Sequence, residues 1–307
     1  MENAMKPSVG MLGLGIMGSA MSANLLQAGF EVIGFDVAAE RLDAFAQAGG
    51  TPARSAREVA QRAGIIISVL PSVAALDEVV SGAEGILAAG RSDLILVEAS
   101  TFPLEDKQRV HDRCRQCGVT VLDCPLSGTG AQAATKDLSV YASGDAAACT
   151  RCAPVFAGFA RSQHYLGAFG NGSKMKFVAN LLVAIHNVSA AEAFVLGMKS
   201  GLDAQQIYDV VGDGAGSSRM FQVRGPLMVR GEYEPATMKV EIWQKDMKII
   251  GEFAARLGCP TPLLAASAAY YTAAMAQGRG GEDTAAVCAV FEEMARLERG
   301  PSGSSSN

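Results

Sequence analysis

Val9-Gly10-Met11-Leu12-Gly13-Leu14-Gly15-Ile16-Met17-Gly18 decides the fold of this chain. An apolar run leads into three glycines spaced G-x-G-x-x-G, and a helix-like segment at 18–28 follows. A second apolar run, 31–35, ends at Asp36, eighteen residues past Gly18. Strand, glycine turn, helix, then a second strand closed by an acid is the context of a dinucleotide-binding loop. Gly13 allows the tight turn, Gly15 admits a pyrophosphate, and Gly18 lets helix and strand pack closely. Ile16 and Met17 fill the loop, and amides at the helix N-terminus face the pyrophosphate. A carboxylate at Asp36 accepts bonds from ribose hydroxyls and repels a 2′-phosphate. Val37-Ala38-Ala39 follow it and the first base is Arg41, so NAD is expected rather than NADP.

Outward from this stretch, apolar runs at 9–14, 31–35, 65–70, 94–98, 120–123 and 139–142 read as strands. Helix-like segments lie between them at 18–28, 40–48, 56–62, 74–80 and 104–117. Such alternation predicts βαβ units and a parallel sheet. Ile65-Ile66-Ile67-Ser68-Val69-Leu70 is apolar on both faces, as a central strand would be. Near residue 168 the pattern changes. Helix-like segments at 173–200, 204–211, 217–228, 243–257, 262–276 and 284–296 follow without a convincing strand.

The expectation is therefore an α/β chain. A Rossmann dinucleotide-binding domain occupies 1–169, a long helix leads into an all-α domain at 170–298, and 299–307 form a Ser/Gly-rich disordered tail. Two domains also suit 307 residues.

Composition excludes several classes. With 49 % hydrophobic and 19 % charged residues the chain has material for a core, unlike a disordered protein. A net charge of −5 and a pI near 5.3 argue against a nucleic-acid partner, which needs clustered Lys and Arg. The N-terminus lacks the pattern of a cleaved secretory signal. The uncharged stretch 257–278 holds Pro260 and Pro262, so only about 15 of its residues could form continuous helix, short of the ~20 that span a bilayer. A cytoplasmic protein without membrane attachment is expected.

Seven cysteines include two C-x-x-C pairs, Cys114/Cys117 and Cys149/Cys152, but both fall in helix-like segments without the knuckle of a zinc site. Buried inert thiols are expected there. His111, His164 and His186 are too dispersed for a metal, so no metal site is expected.

The junction Gly170-Asn171-Gly172-Ser173-Lys174-Met175-Lys176-Phe177-Val178-Ala179-Asn180 holds the most chemistry. On a helix Lys176, Asn180, Val183 and Asn187 share a stripe within about 60°. A lysine desolvated beside a cofactor can exchange a proton with a substrate oxygen. On spacing alone, the stripe reads equally as a snorkelling lysine with structural asparagines.

Four ordered motifs carry a family resemblance. Gly13-Leu14-Gly15-Ile16-Met17-Gly18, Asp123-Cys124-Pro125-Leu126-Ser127-Gly128, Gly170-x-Gly172 with Lys176 and Asn180, and Lys245-Asp246 resemble the β-hydroxyacid dehydrogenases, a family related to 6-phosphogluconate dehydrogenase. The group includes 3-hydroxyisobutyrate dehydrogenase and tartronate semialdehyde reductase. The resemblance implies Lys176 as catalytic acid/base, with Asn180 orienting it or the substrate. Ser127 and Gly128, with Thr129 beside them, would hold a substrate carboxylate. Leu70, Pro71, Thr101 and Lys245 would line the cofactor.

Two positions depart from the family pattern. Thr129 stands where a second glycine is usual, and Ala179 precedes Asn180 where a second asparagine is common. Arg219, Arg224 or Arg230 could clamp a second carboxylate, although surface pairing is the expectation for them.

The implied protein is a homodimer or homotetramer that moves a hydride between NAD and a small β-hydroxy acid. A four-carbon sugar acid such as threonate, or a short ω-hydroxy acid, is the alternative substrate. A non-catalytic NAD-binding sensor is the alternative of another class.

Overall fold

A computed structural model describes residues 7–299 of the chain. They fall into two compact units that divide between Phe177 and Val178.

In the first unit the elements run β1 (Val9–Leu12), α1 (Ile16–Gln27), β2 (Val32–Phe35), α2 (Ala39–Gln47), β3 (Thr51–Pro52), α3 (Ala56–Arg62), β4 (Ile65–Ser68) and α4 (Val73–Ser81). They continue with β5 (Ile95–Glu98), α5 (Leu104–Gln116), β6 (Thr120–Asp123), β7 (Leu126–Ser127), α6 (Gly130–Ala134), β8 (Ser139–Ala142), α7 (Ala146–Phe159) and β9 (Ser162–Tyr165).

Six strands form one parallel sheet in the order β3-β2-β1-β4-β5-β6, with Val9 opposite Val32 on one side and Ile65 on the other. The order reverses between β1 and β4, the switch point where open α/β sheets bind ligands beyond the strand C-termini.

The continuous apolar reading of the central strand has a physical basis. Ile65 and Ile67 face a core shared with Met21 and Leu25 of α1 and Phe156 of α7. Ile66 faces the opposite core, with Val59 of α3, Leu76 of α4 and Val110 of α5. Each buried isoleucine contributes about 2 kcal/mol.

The strand expected at 139–142 does not extend that sheet. It is β8 of a separate three-stranded sheet, antiparallel to β7 and parallel to β9. β7 and β3 have two residues each, and β9 exposes three of its four, so neither apolar alternation nor length marks them in the sequence.

One continuous helix, α8 (Asn171–Lys199), crosses the division between the units. Its first residues belong with the first unit because Gly172 and Ser173 bond to Ser143 and Asp123.

The second unit holds the rest of α8 and α9 (Ala204–Gly212), α10 (Arg219–Arg230), α11 (Val240–Arg256), α12 (Pro262–Ala276) and α13 (Val287–Met294). Between 178 and 299 no strand longer than a single bridge, Lys239 with Asp283, occurs among the described residues.

Arg224 is neither a surface group nor a free clamp. It is buried and pairs with Asp283, which also takes the Thr237 hydroxyl.

By length and composition α8 could cross a membrane, with a mean hydropathy of 1.6 over its most apolar window. It nevertheless carries Asn180 and Asn187, both buried and bonded to protein groups, as in a core helix. Arg299, expected in the tail, pairs with Glu292 and donates to the Met228 and Val229 carbonyls. The expectations for 1–6 and 300–307 lie outside the described residues.

Candidate active site

The glycine loop is shaped by close approach. Gly13 has φ +92° and a Cβ there would meet the Val69 carbonyl, while a Cβ at Gly18 would collide with the Gly13 carbonyl. Gly15 begins α1 without a side-chain cap, and the first turn carries no acid. The space over Gly15 is open except for the Arg41 guanidinium, 4.0 Å from where a Cβ would stand. Uncapped amides beside an open glycine fit a bound pyrophosphate.

Asp36 is buried, and its carboxylate accepts from the Leu14 amide at 2.7 Å and the Ala38 amide at 2.9 Å. Arg41 approaches it at 3.4 Å. The acid expected to meet a ribose thus also braces the glycine loop.

At the ends of β4 and β5 the Leu70 amide donates to the Ser100 hydroxyl at 2.9 Å, and the Ser100 amide donates to Glu98 at 2.9 Å. Pro71 and Thr101 follow directly, so these predicted cofactor positions stand on tied strand ends.

Ser127 closes β7 and Gly128 follows it. A Cβ at Gly130 would run into the Ile16 side chain, so the 127–130 segment adjoins the glycine loop. Thr129 caps α6 in a capping box with Gln132, whose side chain also takes the Thr129 amide at 3.0 Å. The extra hydroxyl expected beside a carboxylate cradle is therefore engaged in ordering the loop.

Lys176 is half-buried in the second turn of α8, and Asn180 lies four residues on in the same helix. Asn180 is 4 % exposed and donates to Asp246 at 2.9 Å. Asp246 in turn is 3.7 Å from Lys245, so α11 presents the predicted cofactor lysine beside the partner of Asn180. Asn187 is structural: it donates to the Tyr271 hydroxyl and the Thr284 carbonyl.

Sequence reasoning missed a buried polar cluster in the first unit. Lys107 of α5 is fully enclosed, 2.6 Å from Glu98 and 2.8 Å from Asp123. Glu98 and Asp123 are register partners at the ends of β5 and β6. Burial alone would lower the lysine pKa, but the Asp123 and Glu98 charges outweigh it and hold the ammonium well above the usual lysine range.

Three of the four cysteines in the C-x-x-C pairs are buried as expected, whereas Cys117, at the end of α5, is exposed. Burial pushes Cys114 and Cys152 up to about 12 and Cys149 up to about 11. Among the described residues no group of three metal-ligating side chains is assembled.

Comparison with known proteins covers both units. Residues 8–167 match the family described as the NAD binding domain of 6-phosphogluconate dehydrogenase. Residues 170–291 match the one described as NAD-binding of NADP-dependent 3-hydroxyisobutyrate dehydrogenase. An L-threonate dehydrogenase of Cupriavidus necator is 35 % identical over 288 residues, 94 % of this chain and 97 % of that one. An NAD-dependent L-serine dehydrogenase of Pseudomonas aeruginosa is 29 % identical, over 92 % and 97 % of the two chains. The crystal structure of a 3-hydroxyisobutyrate dehydrogenase from Salmonella typhimurium matches with a TM-score of 0.84 at 30 % identity, covering 93 % of this chain and 100 % of that one.

Proposed function

We propose that this chain, which belongs to the β-hydroxyacid dehydrogenase family of NAD(P)-dependent oxidoreductases, oxidises a small β-hydroxy acid with Lys176 as its proton acceptor. The observation that carries the role is a half-buried lysine one turn beyond Ser173, whose amide is pinned to the end of β6. The bound nicotinamide supplies the hydride acceptor. As a neutral amine Lys176 takes the hydroxyl proton as the carbonyl forms, and as an ammonium it returns that proton in reduction. Asn180, fixed by Asp246, holds the lysine or the substrate oxygen in line. Ser127, Gly128 and the backbone at Thr129 receive the substrate carboxylate. Gly13, Gly15, Ile16, Met17 and Gly18 hold the pyrophosphate, and Leu70, Pro71, Thr101 and Lys245 border the cofactor. We place the enzyme in the cytoplasm as a homodimer or homotetramer.

Threonate is the favoured specific substrate, because the L-threonate dehydrogenase of Cupriavidus necator aligns with nearly the whole chain. 3-Hydroxyisobutyrate and L-serine, named in the other two relatives, come next. The test is initial-rate NADH formation with L-threonate, 3-hydroxyisobutyrate, L-serine and a short ω-hydroxy acid. Saturable oxidation of at least one is expected, and threonate should have the highest kcat/KM. No turnover of any acid, with NADH bound normally, would instead favour a non-catalytic NAD sensor.

NAD is the favoured cofactor. The Asp36 carboxylate repels a 2′-phosphate, while Arg41 beside it is the base through which NADP could gain entry. Asp36→Asn removes the charge yet keeps an acceptor for the Leu14 amide. It should shift the ratio of kcat/KM for NADP over NAD upward by about tenfold, the equivalent of one modest charge interaction. An unchanged ratio would remove Asp36 from cofactor choice.

A further inference from the structure

The start of α8 is not capped by its own preceding residues alone. The Ser173 amide donates to Asp123 Oδ2 at 2.7 Å and the Ser173 hydroxyl donates to Asp123 Oδ1 at 2.8 Å, fifty residues away in sequence. The Gly172 amide donates to Ser143 Oγ at 2.9 Å, and that hydroxyl donates to the Asp123 carbonyl at 3.0 Å. A Cβ at Gly172 would strike the Asp123 and Tyr141 carbonyls, so the helix begins in contact with the strand backbone. A local cap ties a helix to its own loop, whereas this one registers it to the C-terminal edge of the sheet.

Asp123 can serve only while its charge is balanced. It is 0 % exposed and lies opposite Glu98, which is 1 % exposed, so two enclosed carboxylates adjoin. Lys107 lies between them, and the positive end of α8 faces Asp123. An apolar cluster of the same volume could hold a sheet edge equally well, so these charges are weakly explained by stability alone. Their second partner is the helix turn just before Lys176.

We propose that Asp123, balanced by the buried Lys107, is a positioning residue for Lys176: it sets the start of α8 and therefore the place from which the amine reaches the substrate. The inference rests on the acid/base reading of Lys176. Asp123 touches neither substrate nor cofactor in this role. It acts through Ser173, and a shift of about 1 Å in a catalytic group can cost about a hundredfold in rate.

The test uses the full chain with Ser173→Ala and Asp123→Asn, measured for NADH affinity, kcat, substrate KM and the pH profile of kcat. Ser173→Ala deletes one hydroxyl bond and should lower kcat about tenfold, with a larger loss in Asp123→Asn. NADH affinity should stay within about twofold in both, because the glycine loop is untouched. The limb of the pH profile that belongs to the lysine should move as its surroundings shift.

A lower melting temperature with unchanged kcat and pH profile would overturn the proposal, as would loss of NADH binding in proportion to kcat. If Asp123→Asn does not fold, Ser173→Ala alone decides. Lys176→Ala, run alongside, separates the two claims. Wild-type turnover in it overturns the lysine assignment and this inference together. An inactive Lys176→Ala beside an unaltered Ser173→Ala overturns only the positioning role.

Discussion

Lys107→Met should lower the melting temperature of the protein by about 10 °C. The lysine side chain is 0 % exposed and pairs with the carboxylates of Glu98 and Asp123, whose side chains are 2 % and 0 % exposed. Methionine fills similar volume but leaves two enclosed carboxylates facing each other. Removing one partner of a buried ion cluster costs about 3–5 kcal/mol, and each kcal/mol moves the midpoint of a domain this size by about 2–4 °C. Adding Glu98→Gln to the Lys107→Met variant removes one of the stranded charges and should recover part of the loss.

The pH dependence follows from the direction of the Lys107 shift. Its folded pKa is raised, so its contribution is fully present below the unfolded value of about 10.4 and is lost as pH rises through the folded value. Melting of the wild type between about pH 6 and pH 9 should therefore show no titration of this lysine. Differential scanning calorimetry checks both statements, and a Lys107→Met midpoint equal to the wild type would show the cluster to be energetically neutral.

Much of this fold is legible in the sequence, for identifiable reasons. β6, α3, β8 and α12 fall at their expected residues because sharp changes of polarity or a proline bound them. α8 is recognisable from its unbroken apolar length, and α1 from the glycine loop before it. The elements that escape are those whose pairing replaces their own pattern. β9 reads Ser162-Gln163-His164-Tyr165 and exists because its backbone pairs in parallel with β8. α6 is a five-residue turn held by the Thr129–Gln132 capping box.

The site divides in the same way. The glycine loop and the Lys176–Asn180 spacing are local patterns and can be read directly. Lys245-Asp246 is visible as a motif, but the bond between Asp246 and Asn180 emerges only because α11 places them together, sixty-six residues apart. Lys107 left a faint signal: with Val110 and Cys114 it forms the buried stripe of α5. A lysine at an apolar position of an otherwise polar helix, with two strands nearby each ending in an acid, was the available clue. Arg224 left none, since its partner Asp283, bridged to Lys239, lies fifty-nine residues away in sequence.

Lys176→Ala should have the largest catalytic effect of any single substitution in the protein. Alanine leaves the helix and its tie to Asp123 in place, because the Ser173 and Gly172 bonds do not involve the lysine side chain. What it removes is the group proposed to take the hydroxyl proton while the hydride departs. General acid–base catalysis contributes about 10²–10⁴ in rate, and a loss of about a thousandfold is expected here. NADH affinity should remain within about twofold, since the loop from Gly13 to Gly18 is unaltered, and the hydroxy-acid KM should change far less than kcat.

The direct test is the rate of NADH formation by Lys176→Ala at saturating NAD and the hydroxy acid that the wild type oxidises best, normalised to NADH-binding sites. The expected rate is about a thousandth of the wild-type value. A rate within about tenfold of wild type, from a variant that binds NADH normally, would contradict the assignment of Lys176 as the proton acceptor.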